Sequence, residues 1–175
     1  MRIINKITIL CFFLVFASGC ETYKDYEIEY DPIYPLCGEW MIKFIDTSVT
    51  PNDTSGLVVL STYNTSDNSL NQMWIRSINN NLTGLLPVTG RFTGKINCAV
   101  TAKTFGGENV VNTYITTTPV PAFTITGGTI VIDGYDTATG GKSDKITFTM
   151  TDTRKAGKVY NVIGFRRTRW LDDEV

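Results

Sequence analysis

The sequence predicts an all-β domain: an antiparallel up-and-down barrel of about eight strands, with a β-sandwich as the alternative. Three observations carry this. From residue 38 onward no apolar pattern keeps a 3.6-residue period long enough for a helix. Runs of β-branched and aromatic residues recur instead, divided by clusters of Gly, Asn, Asp and Pro. Residues 145–151 (KITFTMT) alternate cleanly, with Ile146, Phe148 and Met150 on one side and Lys145 and three Thr on the other. That is a strand with one dry and one wet face. Closure is favoured over open sheets because it leaves no edge to pair with neighbours.

The elements follow in order. Residues 39–46 (EWMIKFID) open the series, with Trp40, Ile42 and Phe44 on one face. Residues 56–63 (GLVVLSTY) come next, then 70–78 (LNQMWIRSI) beyond a polar turn at 64–69. Residues 85–92 are a weaker candidate, broken by Pro87 and Gly90. Strands are expected again at 95–103 (KINCAVTAK) and 110–117 (VVNTYITT). After Pro119 and Pro121, residues 123–133 carry a kink at Gly127-Gly128. Residues 144–151 and 158–168 end the series across a hairpin turn at 152–157, and Ile163 and Phe165 share a face of the last strand.

The first 36 residues read differently. Arg2 and Lys6 precede a ten-residue uncharged apolar run at 7–16, and Ala17-Ser18-Gly19 supplies the small residues of a cleavage site. A bilayer span takes roughly 20 apolar residues, so residues 1–19 are expected to be a signal peptide. Ser18-Gly19-Cys20 resembles a bacterial lipobox, which implies acylation of Cys20; an ordinary secretory signal is the alternative. Residues 20–36 hold five acids, four tyrosines and two prolines, an extended tether. Residues 37–175 are the barrel. Acids directly after the modified Cys resemble the surface-export signals of Bacteroides-type lipoproteins. That implies an outer-membrane, cell-surface location, with a periplasm-facing anchor or a merely solvated linker as alternatives. Cys37 and Cys98 remain in an oxidising setting, either bridged or buried as free thiols.

Composition excludes several chemistries. The chain has 16 Lys+Arg against 17 Asp+Glu and no His. A near-neutral balance speaks against nucleic acid. Without imidazole there is no Ser-His-Asp or Cys-His pair and no His-based zinc site. No Gly-x-Ser-x-Gly elbow occurs. Carboxylate catalysis would draw on Asp46, Asp133, Asp136, Asp144 and Asp152, most of them at strand ends or turns, where Asp usually bonds its own backbone. The acids from Asp133 to Asp144 lack the ligand spacing of a calcium loop, so neither metal nor cofactor is expected.

Gly38-Glu39-Trp40 at the head of the first strand resembles the Gly-x-Trp signature of calycins, the lipocalin-type barrels. That resemblance implies a calycin-like barrel in which a basic residue of the last strand covers the Trp, with Arg166, Arg167 and Arg169 as candidates. More of the chain resembles the Bacteroides-type lipoproteins called lipid-binding putative hydrolases. The matching residues are Gly38-Glu39-Trp40, Tyr63-Asn64-Thr65-Ser66, Met73-Trp74-Ile75, Ser143-Asp144-Lys145-Ile146 and Gly164-Phe165-Arg166-Arg167-Thr168. The resemblance implies a lipid or other apolar ligand. Asp136-Thr137-Ala138 resembles an O-glycosylation sequon, with Thr137 the acceptor.

The aromatics hold the remaining functional signal. Trp40, Phe44, Tyr63, Trp74, Tyr114 and Phe148, with Arg167, are the expected ligand-binding residues. Turned inward they would line a cavity for a small apolar or amphiphilic ligand. Turned outward they would stack on sugar rings, as in a glycan-binding accessory of an outer-membrane uptake complex.

Overall fold

Alternating burial runs through the strands of the computed structural model, which describes residues 29–77 and 91–174. In β1 (Gly38–Asp46), Trp40, Ile42, Phe44 and Asp46 are buried, and in β3 (Val58–Asn64), Val58, Leu60 and Thr62 are. The pattern repeats at Met73, Ile75 and Ser77 of β4 (Gln72–Ser77) and at Phe92, Ile96 and Cys98 of β5 (Phe92–Ala99). A side-chain period of two puts every such set on one face, and these faces meet in one apolar cluster.

β6 (Thr104–Val111), β7 (Ala122–Asp136), β8 (Lys142–Asp152) and β9 (Tyr160–Arg166) continue the antiparallel series. β9 then pairs with β1 over seven residues, from Trp40↔Arg166 to Asp46↔Tyr160. Eight strands thus close in sequence order, and β2 (Asp53–Thr54) is a two-residue ribbon beside β1. The expected closed barrel is the observed one.

Most strand ends lie within a few residues of expectation, and two strands differ more. The strand expected at 95–103 ends at Ala99, because residues 100–103 form a tight turn with Lys103 at φ 52°. The next strand is Thr104–Val111 rather than 110–117, and it runs through Gly106-Gly107. Its register against β7 slips twice, so the glycines sit in bulged ladder. The candidate strand 85–92 lies outside the described residues except for its last two. The kink at Gly127-Gly128 is present: Gly127 takes φ +62° and the β7–β8 register shifts between Thr126 and Thr129.

The compact unit begins at Asp31, inside the expected tether. A 3₁₀ turn at Tyr34–Leu36, with Pro35 in its first turn, carries Ile33 and Leu36 fully buried against the end of the barrel. Those two apolar residues among acids and prolines are what fold this stretch. This end, with the turns at 65–71, 100–103 and 137–141 and the chain after Arg166, is the floor.

Candidate functional site

The floor is tied by one network. The Trp40 indole N–H donates to Thr62 Oγ1 at 2.8 Å, and the Thr62 hydroxyl donates to Leu36 O at 2.6 Å. Arg166, opposite Trp40 across the β1–β9 seam, holds its guanidinium 4.5 Å from the indole centroid. The same guanidinium donates to Asp144 at 2.7 Å, to Pro35 O at 3.2 Å and to Cys37 O. Of the three arginines expected over Trp40, position 166 is the one that lies there. Inward parity selects it, because Tyr160, Val162, Gly164 and Arg166 share one face.

Above the floor the interior is filled by side chains. Phe44 meets Phe92 at 6.5 Å and Tyr160 at 6.3 Å between centroids, Phe92 meets Phe123 at 5.1 Å, and Phe105 meets Phe148 at 5.7 Å. Eight strands leave room either for packed side chains or for one small ligand, and the described interior residues pack against one another in the first way. Trp40, Phe44 and Phe148 are therefore core residues here. At the far end Asp46 accepts from Ser48 and pairs with Lys158 at 2.9 Å, which holds its carboxyl down to about 2. Arg154 pairs with Asp152 at 2.6 Å. Tyr160 lies fully buried beneath both carboxylates; burial first, then Asp46 and Asp152, push its hydroxyl up to about 12.

The other expected ligand residues scatter. Tyr63 and Trp74 are cross-strand partners on the outer wall, stacked 6.4 Å apart, and Lys95 Nζ stands 5.7 Å from the indole centroid. Trp74 is thus flanked on both sides by its own strand neighbours. Tyr114 lies in the connection after β6, under the Arg91 guanidinium, which also donates to its hydroxyl. Arg167 is bound to Glu174 at 2.6 Å and Glu39 at 3.4 Å. The seven residues make no common site.

The remaining single candidates have defined places. Thr137 is buried, and its hydroxyl accepts from the Gly141 N–H at 3.0 Å, so it belongs to the β7–β8 turn. Cys37 and Cys98 are free thiols near the floor; burial first, then Asp31 and Cys98, push the Cys37 thiol up to about 11. Cys20 lies outside the described residues. Asp144 binds Arg166, Asp136 pairs with Lys142, and Asp133 donates its N–H to Asp144 Oδ1 at 3.1 Å. No group of three or more metal-ligating side chains occurs among the described residues.

A concave site missed by sequence reasoning lies on the outer wall. Met41↔Phe165 and Lys43↔Ile163 are outward pairs on the β1–β9 seam. Tyr135 stacks on Phe165 at 4.5 Å and 16°, which buries that ring although it faces away from the core. Leu57, Ala138, Asp172 and Asp173 complete a groove of about 240 Å³. It is more sheltered than the grooves around 97–106, 95–113 and 152–159. The signal was present in β9: Ile163 and Phe165 do share a face, on the outside.

The groove's lower wall is the C-terminal turn. Asp173 accepts from Thr139 N at 2.9 Å and Thr168 Oγ1 at 2.7 Å. Burial alone would raise this carboxyl, but the bonds from Thr168 and Thr139 outweigh it and hold it below the ordinary range.

Residues 25–171 match the model of the family described as "Lipid-binding putative hydrolase". The chain belongs to this family. No curated protein was found to match it. For a lipid-binding family member, a closed barrel with an apolar wall groove supports a lipid ligand.

Proposed function

We propose that this family member is an outer-membrane lipoprotein, anchored through acylated Cys20, that holds a slender lipid or similar amphiphile in the groove on its outer wall. The observation that carries the binding site is the contrast between a filled interior and an apolar external groove. Met41, Leu57, Tyr135, Ala138, Ile163 and Phe165 offer apolar contact, and Lys43 stands where an acidic headgroup would meet it. At about 240 Å³ the groove falls just under the usual range for small-molecule sites, roughly 300–1,000 Å³, and suits one acyl chain rather than a diacyl lipid.

The carboxylates support binding better than hydrolysis. Asp46, Asp144 and Asp152 each sit against a cation, Lys158, Arg166 and Arg154 in turn, which occupies the carboxylates that hydrolysis would need free.

A fluorescent fatty-acid probe tests the site. Ile163→Glu places a charge of the probe carboxylate's own sign in the groove at a partly exposed position and should weaken probe binding at least about tenfold with an unchanged unfolding midpoint. Phe148→Leu, inside the barrel, should leave probe affinity unaltered. Equal affinity of Ile163→Glu and the unaltered chain would remove the groove from the account.

A further inference from the structure

The three most exposed large apolar side chains, Leu171, Leu70 and Trp170, lie at one end of the molecule, and Tyr34 joins them there, whereas Val111 stands at the opposite end of β6. Leu171 is 82 % exposed, Leu70 70 %, Trp170 69 % and Tyr34 50 %. Leu70 is in the β3–β4 turn, Tyr34 in the floor turn, and Trp170 and Leu171 in the turn after β9. All three segments lie at the floor. They are also neighbours around the rim, since β9, β1, β3 and β4 are consecutive in the closed sheet. Single exposed apolar residues are ordinary; a contiguous arc of them marks an interaction surface.

The turn that presents Trp170 and Leu171 is firmly built. Arg169 takes φ +68°, the Trp170 N–H donates to Thr168 Oγ1 at 3.3 Å, and Asp173 and Glu174 are bound to Thr139, Thr168 and Arg167. Two apolar side chains are thus held outward by a scaffold of satisfied polar ones.

What covers this arc follows from where the chain leaves it. The compact unit starts at Asp31, at the floor, and Cys20 lies eleven residues upstream. Eleven residues reach at most about 40 Å, so an acylated Cys20 keeps the floor within that distance of a bilayer. Trp and Leu beside Tyr are the side chains that settle at the boundary between headgroups and acyl chains. Along this arc Arg169 meets Glu39 at 2.5 Å, Arg167 is shared by Glu39 and Glu174, and Asp67 and Asp172 are acidic.

We infer that the floor rim, through Trp170, Leu171, Leu70 and Tyr34, docks on the zwitterionic interface of a phospholipid bilayer. Docking is by apolar insertion rather than by charge. This rests on the anchored reading of the chain, and it would bring the wall groove, whose lower edge is the same C-terminal turn, next to the membrane.

The test uses the mature chain from residue 20 with Cys20→Ser, so that no acyl group contributes, added to phosphatidylcholine vesicles with brominated acyl chains. Part of the Trp emission should be quenched, and Trp170→Phe should abolish that part while keeping the protein on the vesicles. Trp170→Ser with Leu171→Ser should lower partitioning at least about tenfold, and a several-fold rise in salt should change it little. Equal quenching of wild type and Trp170→Phe, or equal partitioning of the double variant, would overturn the docking surface. Mass measurement of Cys20 acylation in the native protein and probe binding in the groove are separate readouts, so neither failure would be mistaken for this one.

Discussion

At Trp40 the indole N–H and the ring face have separate partners, Thr62 and Arg166. Trp40→Phe keeps an aromatic face under Arg166 but removes the N–H donor to the buried Thr62 hydroxyl and part of the buried ring volume, which together should cost at least about 1–3 kcal/mol in urea unfolding. Thr62→Val in the same background should then cost much less than it does alone, because the two groups act as a pair. Asp46 gives the acid limb of stability. Its carboxyl is held at about 2, below the ordinary value of about 3.9. The stabilisation is therefore complete above about pH 4 and is lost as pH falls toward 2. Asp46→Asn should flatten the unfolding midpoint across that window. Tyr160 gives the opposite limb: with a hydroxyl raised to about 12, its contribution holds below about pH 10 and is lost as pH climbs through 12.

Among the elements, the β1–β9 seam decides whether the sheet is a barrel or a curl. Gly164 lies at that seam, where an added Cβ would run into the Met41 carbonyl and the Ile42 backbone. Gly164→Ala should push the strands apart and cost about 1–3 kcal/mol. Amide exchange should show β1 and β9 losing protection before β4 and β5. Gly127→Ala meets open space and should cost only the left-handed strain, roughly 1–2 kcal/mol, with protection falling locally in β7. The seam was legible in part: Trp40 and an arginine of the last strand were expected to meet, and position 166 meets it. The strand through Gly106-Gly107 was not legible, because bulged glycine ladder and loop share one composition. The folded 31–36 stretch was hidden by its acidic, proline-rich setting, though Ile33 and Leu36 stood within it.

For the whole molecule, fold class and closure were readable from alternation and turn chemistry, and family membership agrees with them. The ligand site was not readable in the same way. Large aromatics in strands signal either a lined cavity or a packed core, and composition is identical in both cases. Only the packing of Phe44, Phe92, Phe105, Phe123 and Phe148 against one another decides it. The outer groove depends on Tyr135 reaching Phe165, a contact that β7 makes only after its register slips between Val131 and Tyr135. The measurement that bears most directly on this picture is a methyl NMR titration of the folded chain with a fatty acid. Met41, Leu57 and Ile163 should shift in step with ligand while Ile42, Met73 and Ile146 stay still; shifts confined to that interior set would mean that the barrel opens and binds within.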